Sequence, residues 1–294
     1  MDRPRSPRSS GRSFRRDVAC NVSNHRPECR EREVVPRLCG VHFMSLVTSG
    51  LVERFVEDTV DPHVRGLLHV PRIPNGNGLV LTHGAGSNAQ APLLIALAET
   101  FSAAGFTVLR CDLPYRQARS YGPPGPGDAA RDRAGLKNAI SAMKNMLGAP
   151  LLSRRSLAGQ GGDFDFPTTA AGIFLAGHSY GGRQASMLCA EEPGLAAGLL
   201  LLSYPLHPPR RPEQQRTQHL PNLRTPALFV HGTRDPFGSI SEIEQAMKMI
   251  PARTKLLTIE GAGHDLGFKG KARNEALLAA VLVEFQKLEV RSQK

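Results

Sequence analysis

From about residue 45 the apolar positions follow two alternating rhythms. Short, nearly unbroken apolar runs are stopped by glycine, as strands buried on both faces would be. Between them lie longer segments with an apolar residue every three or four positions, as on a helix with one buried stripe. Residues 51–57 (LVERFVE) and 64–70 (VRGLLHV) predict a hairpin around DTVDPH. PRIPNGNG reads as turns, and GLVLTHGAG as a buried strand ending on glycine. A helix is predicted over 91–105, with Leu93, Leu94, Leu97 and Phe101 on one face and Gly105 as its stop. A strand over 106–114 and the loop SYGPPGPGD follow. Leu136, Ile140, Met143 and Leu147 mark a helix over 128–147, and 148–168 reads as an exposed insertion.

The same alternation continues to the end of the chain. AAGIFLAGHS is a strand, GGRQASMLCAEEPG a helix, and GLLLLSYPL and TPALFVHGTRD are strands. Ile240, Ile243, Ala246 and Met249 mark a helix over 239–249, TKLLTIEGAGHD a strand and loop, and NEALLAAVLVEFQKLEV the last helix. Strands alternating with helices predict an α/β fold, a mostly parallel sheet with helices on both faces. Ligands in such folds sit beyond the carboxyl ends of the strands, so the residues that follow each strand carry the chemical interest.

Four of those strand ends form a set. After AAGIFLA comes Gly177-His178-Ser179-Tyr180-Gly181, a G-x-S-x-G between a strand and a helix. A sharp turn there lifts the serine above the sheet, and the flanking glycines keep the turn free of collisions. After TPALFV comes Asp235, and after KLLTIE comes His264. Serine is a weak nucleophile at neutral pH and needs a base, and the base needs a carboxylate to hold its tautomer. The fourth element is His83-Gly84-Ala85-Gly86, after the first parallel strand. It is expected to supply one oxyanion donor from the backbone of Ala85, the other coming from the backbone of Tyr180. Taken singly, Ser179 fits a helix cap, Asp235 a turn residue and His264 a loop histidine. Their order of serine, acid, base after successive strands favours the catalytic reading. His83, Gly84, Gly86 and His178 are candidate pocket residues, and His231 is expected to support the acid loop. Asp112 is a rival acid, and Asp265 is expected to point away.

LTHGAGSN, GHSYGGRQASM, LFVHGTRDPFG and GAGHDLG together resemble the α/β-hydrolase superfamily. Within it they are similar to small, lidless bacterial hydrolases of the dienelactone-hydrolase-like and KANL-like kinds. The resemblance covers about residues 50–290. It implies an α/β-hydrolase fold with about eight strands, a Ser179–Asp235–His264 triad, and hydrolysis of an ester or related acyl bond with no cofactor and no metal. True dienelactone hydrolases carry cysteine where this chain has Ser179, which argues against that substrate. Some relatives of the second kind have lost triad residues and act as scaffolds, whereas this chain keeps all three.

Many relatives place a cap domain between the sixth and seventh strands. Only residues 205–225 stand there, too few for a cap, so the expected substrate is a small-molecule acyl ester. Arg116, Arg119, Arg183 and Arg234 follow strand ends. Arg116 and Arg119 are candidate contacts for a substrate carboxylate or phosphate, since guanidinium binds such groups bidentately. A thioesterase, a peptidase or a C–C hydrolase fits the same residues, because the pocket and not the triad sets the substrate.

Charge changes the picture only at the beginning of the chain. Residues 1–43 hold ten arginines against five acidic residues, within a formal total of +11. They lack hydrophobic periodicity and are rich in Arg, Ser and Pro, so they read as a basic, disordered tail before a single domain over 44–294. One reading is that the gene start is over-extended and the protein begins at Met44. A non-catalytic, hydrolase-like interaction protein whose tail binds nucleic acid or a partner is the rival function class, with nucleic acid the less favoured. Cys20, Cys29 and Cys39 match no zinc spacing, and Cys111 and Cys189 sit among apolar residues. An odd cysteine count without a signal peptide points to the cytoplasm. No apolar run reaches the about 20 residues of a membrane span, so no membrane partner is expected.

Overall fold

The computed structural model describes residues 50–148, 172–268 and 274–290. The basic segment 1–43 lies outside the described residues, as does the insertion expected over 148–168 except for Gly148, which ends a helix. Eight strands form one sheet: β1 (Leu51–Glu57), β2 (Val64–Val70), β3 (Gly78–Thr82), β4 (Thr107–Cys111), β5 (Ile173–His178), β6 (Gly198–Leu202), β7 (Ala227–Gly232) and β8 (Thr254–Ile259). Their spatial order is β1-β2-β4-β3-β5-β6-β7-β8. The hairpin β1–β2 is antiparallel, as is β2 against β4, and every pairing from β4 onward is parallel. The helices are α1 (Pro92–Ala103), α2 (Pro114–Ala118), α3 (Asp128–Gly148), α4 (Tyr180–Glu191), α5 (Ile240–Met247) and α6 (Glu275–Val290).

Side chains alternate across the sheet and build a core on each face. Leu199 and Leu201 of β6 face one way, onto Leu136, Ile140 and Met143 of α3, Leu188 of α4 and Ile243 of α5. Leu200 and Leu202 face the other way, onto Leu94, Leu97 and Phe101 of α1 and Val281 and Phe285 of α6. Burial on both faces is why these strands read as continuous apolar runs.

The predicted strand over 106–114 ends early, at Cys111. Pro114 has no N–H to give a ladder, and instead it opens the short helix α2 at its first position. Between β6 and β7 there is no cap domain, only a loop with one 3-10 turn at Leu220–Asn222.

The second core is centred on aromatic rings. Phe285 packs edge to face on Phe101 (centroids 5.3 Å apart) and on Phe174 (5.1 Å) and is fully buried. Phe285→Ala is therefore expected to lower unfolding free energy by about 3–5 kcal/mol, read from urea denaturation. A loss under about 1 kcal/mol would show that α6 repacks without the ring.

Candidate active site

The carboxyl end of β5 runs directly into α4 through Ser179, whose φ of 52° and ψ of −118° are strained for a residue with a side chain. Backbone contact holds the turn in place. A Cβ on Gly177 would lie 2.4 Å from the Gly182 nitrogen, and one on Gly181 would lie 2.5 Å from the His83 carbonyl oxygen. Neither obstacle is a movable side chain, so both positions require glycine. The Ser179 N–H donates to the Leu202 carbonyl at 2.8 Å, tying the elbow to the end of β6.

Three strand ends converge on Ser179. His264 Nε2 lies 2.8 Å from Ser179 Oγ, and His264 Nδ1 lies 2.8 Å from Asp235 Oδ2. A carboxylate only accepts, so Nδ1 carries the proton and Nε2 is left to accept from the serine hydroxyl. Asp235 has its other oxygen, Oδ1, on the Phe237 N–H at 2.9 Å. The His264 ring stacks on Phe237, centroids 4.2 Å apart, which limits its rotation. His231 donates from Nε2 to the Gly238 carbonyl at 2.8 Å and stiffens the loop that carries Asp235.

Two backbone N–H groups are aimed by the carbonyls on their own peptide planes. In a trans peptide the C=O and N–H point in opposite directions. The Gly84 carbonyl accepts from Ser87 N–H, His83 Nδ1 and Tyr115 Oη, so the Ala85 N–H on the same peptide points away from all three. The Ser179 carbonyl accepts from Arg183 N–H along α4, so the Tyr180 N–H points out of the helix N-terminus. Gly84 lies against Ser179, since a Cβ there would come within 3.3 Å of Ser179 Cβ. Gly86 faces open space and carries no such constraint.

Several candidates hold the site together rather than line it. His83 is fully buried, donating from Nδ1 to the Gly84 carbonyl and accepting the Leu113 N–H at Nε2. Burial pushes its pKa down, in keeping with a neutral ring. It does not reach a substrate. His178 donates from Nε2 to the His264 carbonyl at 2.8 Å and so positions the loop bearing that ring. Arg116 is not free to bind a substrate anion. Its guanidinium donates to the carbonyls of Ser87, Arg119, Ala85 and Gly122, and the side chain is buried. Arg119 is paired with Asp128. Asp112, the rival acid, accepts from the Ala89 N–H at 2.7 Å instead.

The sequence reading missed Tyr115 and Asp132. Tyr115 Oη donates to the Ala85 carbonyl at 2.8 Å, and the fully buried Asp132 accepts from Tyr115 N–H (3.0 Å) and Tyr180 Oη (2.7 Å). Nothing in the local sequence marks either residue, because each acts across a long stretch of chain.

A family model described as an alpha/beta hydrolase domain matches residues 75–287. The chain belongs to the alpha/beta hydrolase family. Its fold is similar to that of an alpha-beta serine hydrolase homologue from Coxiella burnetii (15% identity, 82% of this chain and 97% of that one covered, TM-score 0.54). It is also similar to a dienelactone hydrolase from Anabaena variabilis (18%, 83% and 96%, TM-score 0.57). A third likeness is to a serine hydrolase without a lid from Xanthomonas campestris (12%, 80% and 94%, TM-score 0.55). At these identities the likeness is one of fold. A curated relative, polyketide synthase ThaQ from Burkholderia thailandensis, is 44% identical over 64 residues, and the match spans 3% of its length.

Within this alpha/beta hydrolase chain, a concavity of about 650 Å³ opens between the start of β8 and α6. It lies at the amino end of the strands, opposite Ser179, which is the wrong end for a ligand site in this fold. Among the described residues no cluster of histidine, cysteine or acidic side chains has the make-up of a metal site. No helix among them is long and apolar enough to cross a membrane.

Two predictions follow from this packing. Gly181→Ala is expected to cost at least about 1–3 kcal/mol of stability, measured by chemical denaturation, because the new methyl meets the His83 carbonyl. An unchanged midpoint would mean that the elbow and the 83–87 turn can part. The second concerns pH. Burial pushes His69 and His178 each down to about 4. The unfolded chain binds protons on such rings near pH 6.5, so it gains protons before the folded chain does. Stability should fall as pH drops from about 6.5 toward 4. Melting temperatures across that window should show a shallower fall for His178→Gln, and an identical slope would remove His178 from the account.

Proposed function

We propose that the protein is a serine hydrolase that cleaves small acyl esters through an acyl-enzyme intermediate. The observation that carries this reading is the unbroken relay from Asp235 through His264 to Ser179, both hydrogen bonds 2.8 Å long. In this reading His264 takes the hydroxyl proton as Ser179 Oγ attacks the carbonyl carbon. Asp235 holds the ring in the tautomer that leaves Nε2 free and stabilises the imidazolium that forms. The charge on the tetrahedral oxygen falls to the Ala85 and Tyr180 N–H groups, already aimed before substrate arrives. His264 then gives its proton to the leaving alcohol. Water repeats the sequence on the acyl-enzyme and restores Ser179.

The loop between β6 and β7 leaves the rim without a cap domain, which favours small or exposed acyl groups. The complete relay also favours catalysis over a scaffold role, since a scaffold has no need of a histidine held between serine and carboxylate. Ester is set above amide because an alkoxide leaves more readily than an amide ion, and the thioester, whose thiolate leaves more readily still, is the rival that the panel below tests.

The test is turnover of p-nitrophenyl acetate by purified protein. Ser179→Ala and His264→Ala are each expected to lower kcat by about a million-fold, and Asp235→Ala by about ten-thousand-fold. The double variant of Ser179 and His264 should be no worse than either alone, because the residues act as a unit. Hydrolysis that survives in Ser179→Ala would overturn the assignment. A parallel panel of thioesters and anilides ranks the bond type.

A further inference from the structure

The loop from β6 to β7 is tied to α4 by a polar knot. Tyr204 Oη donates to the Arg216 carbonyl at 3.0 Å. Ser186 Oγ donates to the Arg183 carbonyl at 2.9 Å and lies 2.8 Å from His219 Nε2. Arg216 gives its N–H to the Leu206 carbonyl at 2.8 Å and one guanidinium nitrogen to the Pro205 carbonyl at 3.3 Å. The knot thus gathers two guanidinium groups, those of Arg183 and Arg216, beside one phenol and one imidazole.

The charges in this knot are not balanced. A third arginine, Arg133, has Glu191 at 3.0 Å. Neither Arg183 nor Arg216 forms an ion pair with any carboxylate among the described residues. Arg183 Nε is shut off from solvent and has no hydrogen-bond partner there. The proximity bears on both Arg216 and His219. The Arg216 guanidinium is depressed by burial and then by Arg183, and His219 is pushed down to about 4 by burial and then by Arg183 and Arg133. A buried, unpartnered guanidinium N–H beside a second guanidinium weakens the fold on its own account. An anion set between them would remove both costs.

The position relative to Ser179 follows from the helix. Arg183 begins the second turn of α4, its N–H on the Ser179 carbonyl at 3.0 Å. Helical side chains lean toward the N-terminus, here the Ser179 end. The loop that brings Arg216 leaves β6 at its carboxyl end, where the Ser203 N–H is bound to the Val230 carbonyl. Arg183, Arg216 and His219 are each only partly buried, so part of each side chain reaches solvent although Arg183 Nε does not.

We infer that Arg183 and Arg216 form an anion-binding subsite beside Ser179, and that the acyl group this protein accepts carries a carboxylate. The inference rests on the serine-hydrolase reading and narrows it to half-esters of dicarboxylic acids. Carboxylate and guanidinium match as two parallel hydrogen bonds, which places the far end of the acyl chain and leaves the ester carbonyl over Ser179. The role first expected of Arg116 and Arg119 passes to Arg183, whose Nε has no partner, and to Arg216, which gives one guanidinium nitrogen to the Pro205 carbonyl.

The experiment compares kcat/KM for mono-p-nitrophenyl glutarate and for p-nitrophenyl butyrate in the full chain. Arg183→Gln and Arg216→Gln are each expected to lower the glutarate-to-butyrate ratio at least about tenfold, the loss of one charged hydrogen-bonded pair. Arg183→Lys, which keeps charge and loses the fork, should fall between. High salt should lower the ratio in the unmodified protein, a readout that needs no variant to fold. Calorimetric titration of glutarate into Ser179→Ala reads the subsite without turnover, and Arg216→Gln in that background should weaken binding at least about tenfold. Ser179-dependent ester turnover with a ratio and a glutarate affinity indifferent to both arginines would overturn the subsite and leave the hydrolase reading standing. Arginine-dependent glutarate binding in a protein that turns over no ester would support the subsite and overturn the hydrolase reading. Absence of glutarate binding would also overturn the subsite.

Discussion

Everything at this site depends on one close approach, the elbow at Ser179 pressed against the turn at residues 83–87. Three peptide segments meet there with no room for a Cβ at Gly177 or Gly181. That contact sets how near the 83–87 turn lies to Ser179. It also forces Ser179 into a backbone conformation that costs folding energy, which the surrounding sheet must absorb. The elbow is held on one side by the hydrogen bond from Ser179 N–H to Leu202 and on the other by the packing of β3 against β5.

Around that contact the polar groups divide into those that face the serine and those that aim them. His264 and the two amides face it. Tyr115, His83, Arg116 and Asp132 stand behind and hold carbonyls, the chain at Leu113 or the Tyr180 side chain, so the directions of the neighbouring amides are fixed. An arginine beside an active site is easily taken for a substrate contact. Arg116 shows that its donors must be accounted for first, since four backbone carbonyls use them. The same accounting singles out Arg183, whose Nε has no partner.

The parallel sheet explains why residues 85 positions apart meet. β5, β7 and β8 all run the same way, so their carboxyl ends lie on one rim. Ser179, Asp235 and His264 each follow one of these strands. The sheet order leaves β6 between β5 and β7, and its exit loop is the natural wall of the site on that side.

Much of this was legible in the amino-acid sequence. The alternation of apolar runs and helical stripes determined an α/β sheet with helices on both faces, because burial on two sides leaves no polar positions in a strand. The G-x-S-x-G, the acid and the histidine could be placed at strand ends, because local turns and local glycines mark them. Tertiary structure alone decided which way each side chain turns once the strands are side by side. Arg116 and Arg183 stand at similar places in sequence, one after a strand end and one on the helix after the elbow. One spends its donors on carbonyls and the other keeps a buried N–H unpaired. The partners that make this difference are set by packing between segments distant in sequence, and a linear pattern carries no record of their directions. The links from Tyr115 and Asp132 to the site escaped notice for the same reason. Their partners lie up to 48 positions away, and only the close-packed fold brings them within hydrogen-bonding distance.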